Sequence, residues 1–327
     1  MDSILKERKK ALFALGEKTL ISRIIKDKSL YLFLLPGMAY FIVFTYIPYY
    51  YLTLAFREYD LVSGLANSPW VGLKYFKMFF NDVNMARVIK NTLLINIYSL
   101  IFGFPVPIIF ALLLNELKNV YYKRVVQTIS YLPHFISSAV IVGMVINFLS
   151  PSTGIVNSIL VNIFHMEPVH FLAKAEYFRT IYVSMGIWKE FGWGAIIYLA
   201  VILSIDPALY EAAVIDGANK WKQIMHITLP GMKNIIVITL LLSLGSLLSV
   251  GYETIILMYN PLTYKTADVI STYVYRRGMG VLGIGAGSGI PEYSYATAVG
   301  IFQSVIGLIL IVAANKLSKK YAEFSLY

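Results

Sequence analysis

Residues Asp206 to Pro230 read D-P-A-L-Y-E-A-A-V-I-D-G-A-N-K-W-K-Q-I-M-H-I-T-L-P, a polar passage between two long apolar segments. Asp206 followed by Pro207 is a good helix start. The carboxylate accepts a free backbone N–H, and proline at the first helical position gives up a donor that had no partner. Gly217 can adopt the left-handed conformation that ends a helix. The passage therefore predicts a short helix that ends at Gly217.

A second short helix is predicted directly after that glycine. Trp221, Ile224, Met225 and Thr228 fall at i, i+3, i+4 and i+7, which is one stripe of a helix, and Pro230 is expected to end it. Two short helices joined at a glycine form a compact protrusion, a shape suited to docking into a partner.

The composition indicates an integral membrane protein. Of 327 residues, 58% are hydrophobic and only 14% are charged, and the mean hydropathy is +0.67. The net charge of +10 comes largely from basic residues beside apolar segments, so anionic lipid explains it better than nucleic acid. Cysteine is absent, which excludes disulfides, thiolate nucleophiles and cysteine metal sites.

Six segments with few charges are long enough to cross a bilayer, which predicts an all-α, polytopic membrane protein with six transmembrane helices. They are residues 29–56, 91–115, 128–149, 178–205, 234–259 and 293–315. Pro48 is expected to bend the first span, and Pro105 and Pro107 to break the second unless neighbouring helices satisfy the freed carbonyls. Residues 154–166 are apolar but too short to cross, so we expect a surface helix there.

Basic residues predict the orientation of these spans. Seventeen of the 28 Lys and Arg residues fall in the first 28 residues, the turn after the second span, the passage 206–230 with Lys233, and the end of the chain. By the positive-inside rule, both termini and the passage face the cytoplasm. We expect a cytoplasmic amphipathic segment at 1–28, a transmembrane domain at 29–316 and a cytoplasmic tail at 317–327.

The passage carries a spaced signature. Glu211, Ala212 and Ala213, then Gly217, then Ile227, Leu229 and Pro230 resemble the EAA signature of the membrane permeases of binding-protein-dependent ABC importers. Four further stretches are similar to the branch that imports oligosaccharides and polysaccharides: L-Y-L-F-L-L-P-G at 30–37, S-P-W-V-G-L at 68–73, V-V-Q-T-I-S-Y-L-P-H-F-I-S at 125–137 and Y-S-Y-A-T-A-V-G at 293–300.

The resemblance implies a set of partners and an ATPase interface. The partners are a second permease, two cytoplasmic ATPase subunits that hold ATP and Mg²⁺, and an extracytoplasmic binding protein that delivers an oligosaccharide. Separately, Lys189 within the fourth span makes an acidic sugar one option, because such a sugar would supply a mobile counter-ion. The chain itself is expected to bind no cofactor and to lie in the cytoplasmic (inner) membrane. The implied interface residues are Glu211, Ala212, Ala213, Asp216, Gly217, Ile227, Leu229 and Pro230.

Two polar groups inside spans are candidates for the substrate path, since intramembrane charges usually face a cavity. One is Trp188, Lys189 and Trp193 in the fourth span, where Lys189 and Glu190 could equally form an ion pair. The other is Ser246, Ser249, Tyr252 and Glu253 in the fifth, where i, i+3 and i+7 spacing predicts that Ser246, Ser249 and Glu253 share one helix face. Packing of small residues is the alternative there.

Other motifs favour no catalytic function. The glycine-rich stretch 278–289 lacks the Lys-Ser/Thr pair of a phosphate loop, so we expect a flexible loop and no ATP hydrolysis by this chain. Four histidines, His134, His165, His170 and His226, show no metal spacing. A membrane-embedded glycosyl- or lipid-transferring enzyme would need paired carboxylates or a metal site. An ion-coupled secondary transporter would show repeated broken spans, and neither pattern is found.

Overall fold

The computed structural model describes residues 25, 27–248, 250–281 and 291–321, and this part of the chain is nearly all helical. Five helices are long and apolar enough to cross a membrane. They are α1 (Lys28–Phe56), α2 (Met85–Glu116), α5 (Ala175–Ser204), α7 (Lys220–Gly245) and α10 (Tyr293–Tyr321). A bent pair, α3 (Val120–Phe135) and α4 (Ser138–Phe148), is long and apolar enough only when its two helices are taken together, and it makes a sixth crossing if the pair is counted as one span. The predicted all-α fold is confirmed.

Shorter helices connect these spans. Three of them shape the regions described below: α6 (Pro207–Ile215), α8 (Tyr252–Met258) and α9 (Ile270–Met279). The others are Gly64–Asn67, Lys74–Phe80, Ile155–Asn162, Phe171–Ala173, Pro261–Thr263 and Tyr264–Ala267. In the described ranges the β-structure amounts to one isolated bridge between Arg57 and Trp70. The predicted amphipathic segment 1–28 lies outside the described residues up to position 24, as does most of the glycine-rich loop and the tail beyond 321.

Prolines inside the first, second and fifth spans are accommodated without breaking the helix, which corrects the expectation at Pro105. Each of three π-helical turns, Ile42–Tyr46, Ser99–Gly103 and Ile224–Thr228, ends two residues before a proline. Proline lacks an N–H and its ring collides with the carbonyl four residues earlier, and a wider turn moves that carbonyl away. The second span therefore continues as one helix through Pro105 and Pro107.

The third span departs from the continuous helix predicted for residues 128–149. Helix begins earlier, at Val120, and the chain bends by 100° before α4. A 3₁₀ turn that contains Pro133 ends at Phe135, and Ile136 is extended (φ −78°, ψ 134°). Ser137 then caps α4 by accepting the N–H of Val140 at 3.4 Å. Proline and a new capping residue within five positions start a second helix in a new direction.

The fifth span is displaced from its predicted bounds of 234–259. Helix α7 begins at Lys220 and runs through Pro230, which therefore does not end the second short helix as expected. It stops at Gly245, where an added Cβ would lie 2.8 Å from Cδ1 of Ile311 in α10. The missing side chain allows α7 and α10 to approach closely at the point where α7 ends.

Helix α5 is the centre of the bundle because both of its halves are packed. We call the side next to residues 206–230 the loop side and the opposite side the far side. On the loop side Ala195, Leu199 and Ile202 pack with residues of α2 and with Met232 of α7. On the far side Phe178 contributes to a second cluster with residues of α2, α4 and α8. Helix α1, by contrast, is apolar and almost wholly exposed.

Candidate functional site

The loop 206–230 forms a capped helix at the end of the bundle. Asp206 accepts the N–H of Ala208 at 2.9 Å, as predicted for the start of α6. At its end Gly217 has φ +74°, and its N–H bonds to the carbonyl of Val214 at 3.0 Å. The N–H of Ala218 reaches back to Ala213 at 2.8 Å, which completes the hydrogen bonds typical of a glycine helix end.

Two side-chain bonds fasten α6 to the base of α7. The hydroxyls of Tyr210 and Thr228 are 3.0 Å apart, and Gln223 donates to the carbonyl of Ala218 at 3.0 Å. Thr228 and Gln223 are buried, so these bonds are shielded from solvent. These bonds join α6 and its turn to α7, which in turn packs into the loop-side core through Met232.

The predicted interface residues divide into two groups. Glu211, Ala212, Asp216 and Gly217 are exposed on α6, whereas Ile227 and Leu229 are half-buried in α7. Ala213 is half-buried and Pro230 is exposed. Sequence reasoning missed the apolar side chains that α6 also exposes: Leu209, Val214 and Ile215 are 52%, 61% and 86% exposed. Exposed apolar residues on a polar loop mark a contact surface for another protein.

A second site lies where α5 crosses the bend between α3 and α4. An added Cβ at Gly192 would lie 2.1 Å from the carbonyl oxygen of Ser130, so only glycine lets these backbones come so close. The close approach brings His134 to Glu190, with Nδ1 and Oε2 2.8 Å apart. The imidazole also stacks on Trp193, with ring centroids 4.5 Å apart and planes 1° from parallel. Phe135 meets Trp193 edge-on at 5.5 Å.

Lys189 has different neighbours from Glu190, and the two residues do not pair. The half-buried Lys189 donates from Nζ to the hydroxyl of Ser138 at 3.3 Å. Within the described part of the chain, no carboxylate lies within ion-pair distance of Lys189. Both Lys189 and Glu190 line a cavity of about 390 Å³. Its other walls include Ser99, Gly103 and Pro107 of α2, Tyr182 and Gly186 of α5, and Thr254 of α8.

The remaining path candidates are not gathered at this cavity. Trp188 and Trp193 are each 43% exposed, and neither lines it. Ser246 follows the end of α7 and Glu253 lies in the first turn of α8, so the predicted common helix face is wrong. Tyr252 stacks on Tyr275 of α9, with ring centroids 5.5 Å apart. Ser249 lies outside the described residues.

Sequence reasoning assigned no function to His134, because no other possible metal ligand lies near it at a spacing typical of a metal site. Its partner Glu190 is 56 positions away, and only the crossing at Gly192 joins them. Among the described residues no group of three His, Asp or Glu side chains could hold a metal ion. The chemistry available here is hydrogen bonding, charge and aromatic stacking, which suits binding of a polar molecule.

Comparisons with known proteins agree with this arrangement. Residues 103–323 match the family of binding-protein-dependent transport system inner membrane components. The polygalacturonan/rhamnogalacturonan transport system permease protein YteP of Bacillus subtilis (strain 168) is 41% identical, over 95% of this chain and 94% of that protein.

Two solved structures have the same fold. A chain of a bacterial ABC transporter involved in import of the acidic polysaccharide alginate is 46% identical, with a TM-score of 0.82 over 92% of this chain and 99% of that one. A chain of an alginate transporter in complex with an alginate pentasaccharide-bound periplasmic protein is 44% identical, with a TM-score of 0.82 over 93% and 99%. This chain therefore belongs to the inner membrane components of binding-protein-dependent transport systems: it is a permease subunit of an ABC importer, and the ATPase is a separate subunit.

Proposed function

We propose that this chain lines one half of a membrane path for an acidic oligosaccharide, and that ATPase closure moves its spans through the loop 206–230. The observation that carries the substrate class is Lys189. A lysine near the middle of a membrane-spanning helix costs about 2.5–3.5 kcal/mol unless it faces water or a counter-charge. Here it lines a cavity and has no carboxylate partner in the described chain, so a sugar carboxylate is a fitting mobile counter-ion.

The similar proteins support the same class. One is named for transport of polygalacturonan and rhamnogalacturonan, and two solved transporters are described as importing alginate, an acidic polysaccharide. Identities of 41% to 46% over nearly the whole chain make a related substrate the simplest expectation.

Aromatic groups beside Lys189 supply the rest of a sugar site. Phe135 is 69% exposed and lies at the bend between α3 and α4, and Trp193, which it meets edge-on, is 43% exposed. Flat apolar faces pack against the C–H face of a sugar ring, while Glu190 and His134 offer hydrogen bonds to its hydroxyls. We assign Trp188 and Tyr252 to the edge of this region and Ser246 and Glu253 to its far-side rim, and Ser249, outside the described residues, stays a candidate from the sequence.

For coupling, we assign α6 to a cleft of the ATPase. Ala212 allows close helix approach, Glu211 offers a carboxylate to a cation of the partner, and Ile215 adds apolar surface. Ala213, Asp216, Gly217, Ile227, Leu229 and Pro230 hold the geometry of this interface. The continuous helix α7 then carries the movement from Lys220 to Gly245.

The assembly that follows has this chain beside a second permease in the cytoplasmic (inner) membrane, with both termini and the loop in the cytoplasm. Two ATPase subunits bind ATP and Mg²⁺ there, and a binding protein delivers the oligosaccharide at the opposite face. The basic residues on the loop side support this orientation, because they concentrate on the cytoplasmic side of membrane proteins. The domain limits 1–28, 29–316 and 317–327 follow from it.

The test is import by the complete transporter in proteoliposomes, with a uronic acid oligosaccharide and its carboxyl-reduced counterpart. Lys189→Met should slow import of the acidic sugar about tenfold, which is the value of one charge-assisted hydrogen bond. Lys189→Arg should retain most of the rate, and Lys118→Met, a loop-side control, should be unchanged. Equal import of both sugars by the wild type, or a normal rate for Lys189→Met, would refute the acidic substrate.

A further inference from the structure

Arg179 lies on the cavity-lining face of α5, nearer the far side of the membrane. Residues at i, i+3, i+4, i+7 and i+11 share one face of a helix, and for Arg179 these are Tyr182, Val183, Gly186 and Glu190. All four line the cavity that holds Lys189. At a rise of 1.5 Å per residue, Arg179 is about 15 Å from Lys189 along the helix axis.

The surroundings of Arg179 hold more positive than negative charge. Its Nη2 donates to the side-chain oxygen of Asn91 at 2.7 Å. The side-chain nitrogen of Asn91 donates in turn to the backbone carbonyls of Asp268 at 2.9 Å and of Lys265 at 3.2 Å. The Asp268 carboxylate is already bound by Arg276 at 2.7 and 2.8 Å and by Arg87 at 3.2 Å.

Arg276 and Arg87 therefore share the Asp268 carboxylate, and Arg179 bonds to Asn91 instead. Within the described ranges, no carboxylate lies within ion-pair distance of Arg179. The neighbouring arginines differ in this respect, because Arg276 and Arg87 share Asp268 and Arg277 pairs with Glu292 at 2.7 Å. Arg179 is half-buried, so its charge is only partly screened by solvent.

We propose that Arg179 is an outer carboxylate-recognition residue of the path, which an acidic oligosaccharide meets before it reaches Lys189. The guanidinium has a planar fork that matches a carboxylate, and the bond to Asn91 holds it in place. This inference rests on the proposed acidic substrate. It adds a second, separate specificity-determining residue, and it predicts that a chain of uronic acid units contacts first Arg179 and then Lys189, about 15 Å further along α5.

The alternative is that Arg179 only holds α2 and α5 together through its bond to Asn91, and a different side chain at position 179 would then preserve function. Glutamine keeps a donor for Asn91 but loses the charge, whereas lysine keeps the charge but loses the fork. If Arg179 is only a brace, Arg179→Gln should be tolerated better than Arg179→Lys. If Arg179 recognises a carboxylate, Arg179→Lys should be tolerated better than Arg179→Gln. Lys174→Gln is the matched control, because it removes one positive charge from the start of the same helix about 140° around the axis.

The experiment measures import of a uronic acid tetrasaccharide by the complete transporter at saturating loaded binding protein. Size-exclusion chromatography and basal ATPase activity check assembly of each variant. Arg179→Lys should stay within about threefold of the wild type and Arg179→Gln should fall at least about tenfold, with Lys174→Gln unchanged. A rate for Arg179→Gln equal to or above that of Arg179→Lys would overturn the inference and leave the acidic substrate in place. A wild type that imports no acidic sugar would instead refute the proposed function.

Discussion

Asp268 shows how single residues hold the far side of this bundle together. Its carboxylate is fully buried and receives two hydrogen bonds from Arg276, one from Arg87 and one from the hydroxyl of Thr272. Burial alone would lower the pKa of Arg276, but the hydrogen bonds and charge of Asp268 outweigh burial and raise it. Asp268 thus joins α9 to the start of α2.

Removing this carboxylate should strongly destabilise the protein. Asp268→Asn leaves the guanidinium of Arg276 buried without a counter-charge, a change that costs about 3–5 kcal/mol. Thermal unfolding of the purified transporter in detergent should show a clear drop in midpoint. The matched control is Glu58→Gln, which breaks the exposed pair with Lys74 and should shift the midpoint far less. Equal shifts of the midpoint in the two variants would mean that Asp268 does not hold α9 to α2.

At the scale of elements, the loop 206–230 depends on backbone geometry at Gly217. Apart from its two chain neighbours, no atom of the described residues lies within 4 Å of a Cβ placed there, so the cost of adding that Cβ within the described subunit comes from the positive φ. Positive φ costs non-glycine residues about 1–2 kcal/mol, and more for β-branched ones. The helix end and the turn into α7 are therefore sensitive to a residue that makes no contact inside the subunit.

Gly217→Val should block transport while the protein still reaches the membrane. Valine strains the backbone and adds bulk on the face that we assign to the ATPase, so sugar uptake should fall at least about tenfold. Gly72→Val is the control, since Gly72 also has positive φ (+59°) and open space around its Cβ but lies in another loop. Wild-type uptake by Gly217→Val, or an equal loss in both variants, would contradict coupling through this loop.

The same element tests the role of Glu211. Glu211→Ala should weaken attachment of the ATPase only mildly, roughly fivefold, because a half-exposed ion pair is worth about 1 kcal/mol. Co-purification of the ATPase with the permease measures this directly. Together the two variants separate the electrostatic part of the interface from its backbone geometry.

At the scale of the whole molecule, the family and the fold agree on a subunit of a larger transporter. The sequence-based identification as an importer permease is confirmed by the family match and by the solved structures. A glycosyl- or lipid-transferring enzyme and an ion-coupled transporter are set aside on the same findings.

Purified chain without its partners should neither bind nor hydrolyse ATP, because it lacks a phosphate loop. The complete transporter should hydrolyse ATP, and loaded binding protein should stimulate it. Phosphate release by the isolated chain above that of an empty detergent control would disprove that ATP is hydrolysed only by the separate ATPase subunits.

Local chemistry within the sequence determined much of this protein. Apolar runs determined its spans, Asp206 and Gly217 determined the bounds of α6, and a spaced signature identified its family, because each of these depends on residues close together in sequence. Pro133 and Ser137 account for a break in the third span and Pro230 for the π turn before it, but the 100° angle of the bend and the close approach of α7 and α10 at Gly245 depend on packing.

The polar groups of the path were decided by tertiary structure alone. His134 and Glu190 are 56 positions apart, Arg179 and Asn91 are 88 apart, and Arg87 and Asp268 are 181 apart. No spacing rule reaches across such distances. A helix in a bilayer satisfies its own backbone hydrogen bonds, so it can bury a charged side chain only where it crosses another helix. Glycines and bends set where the helices of this bundle cross.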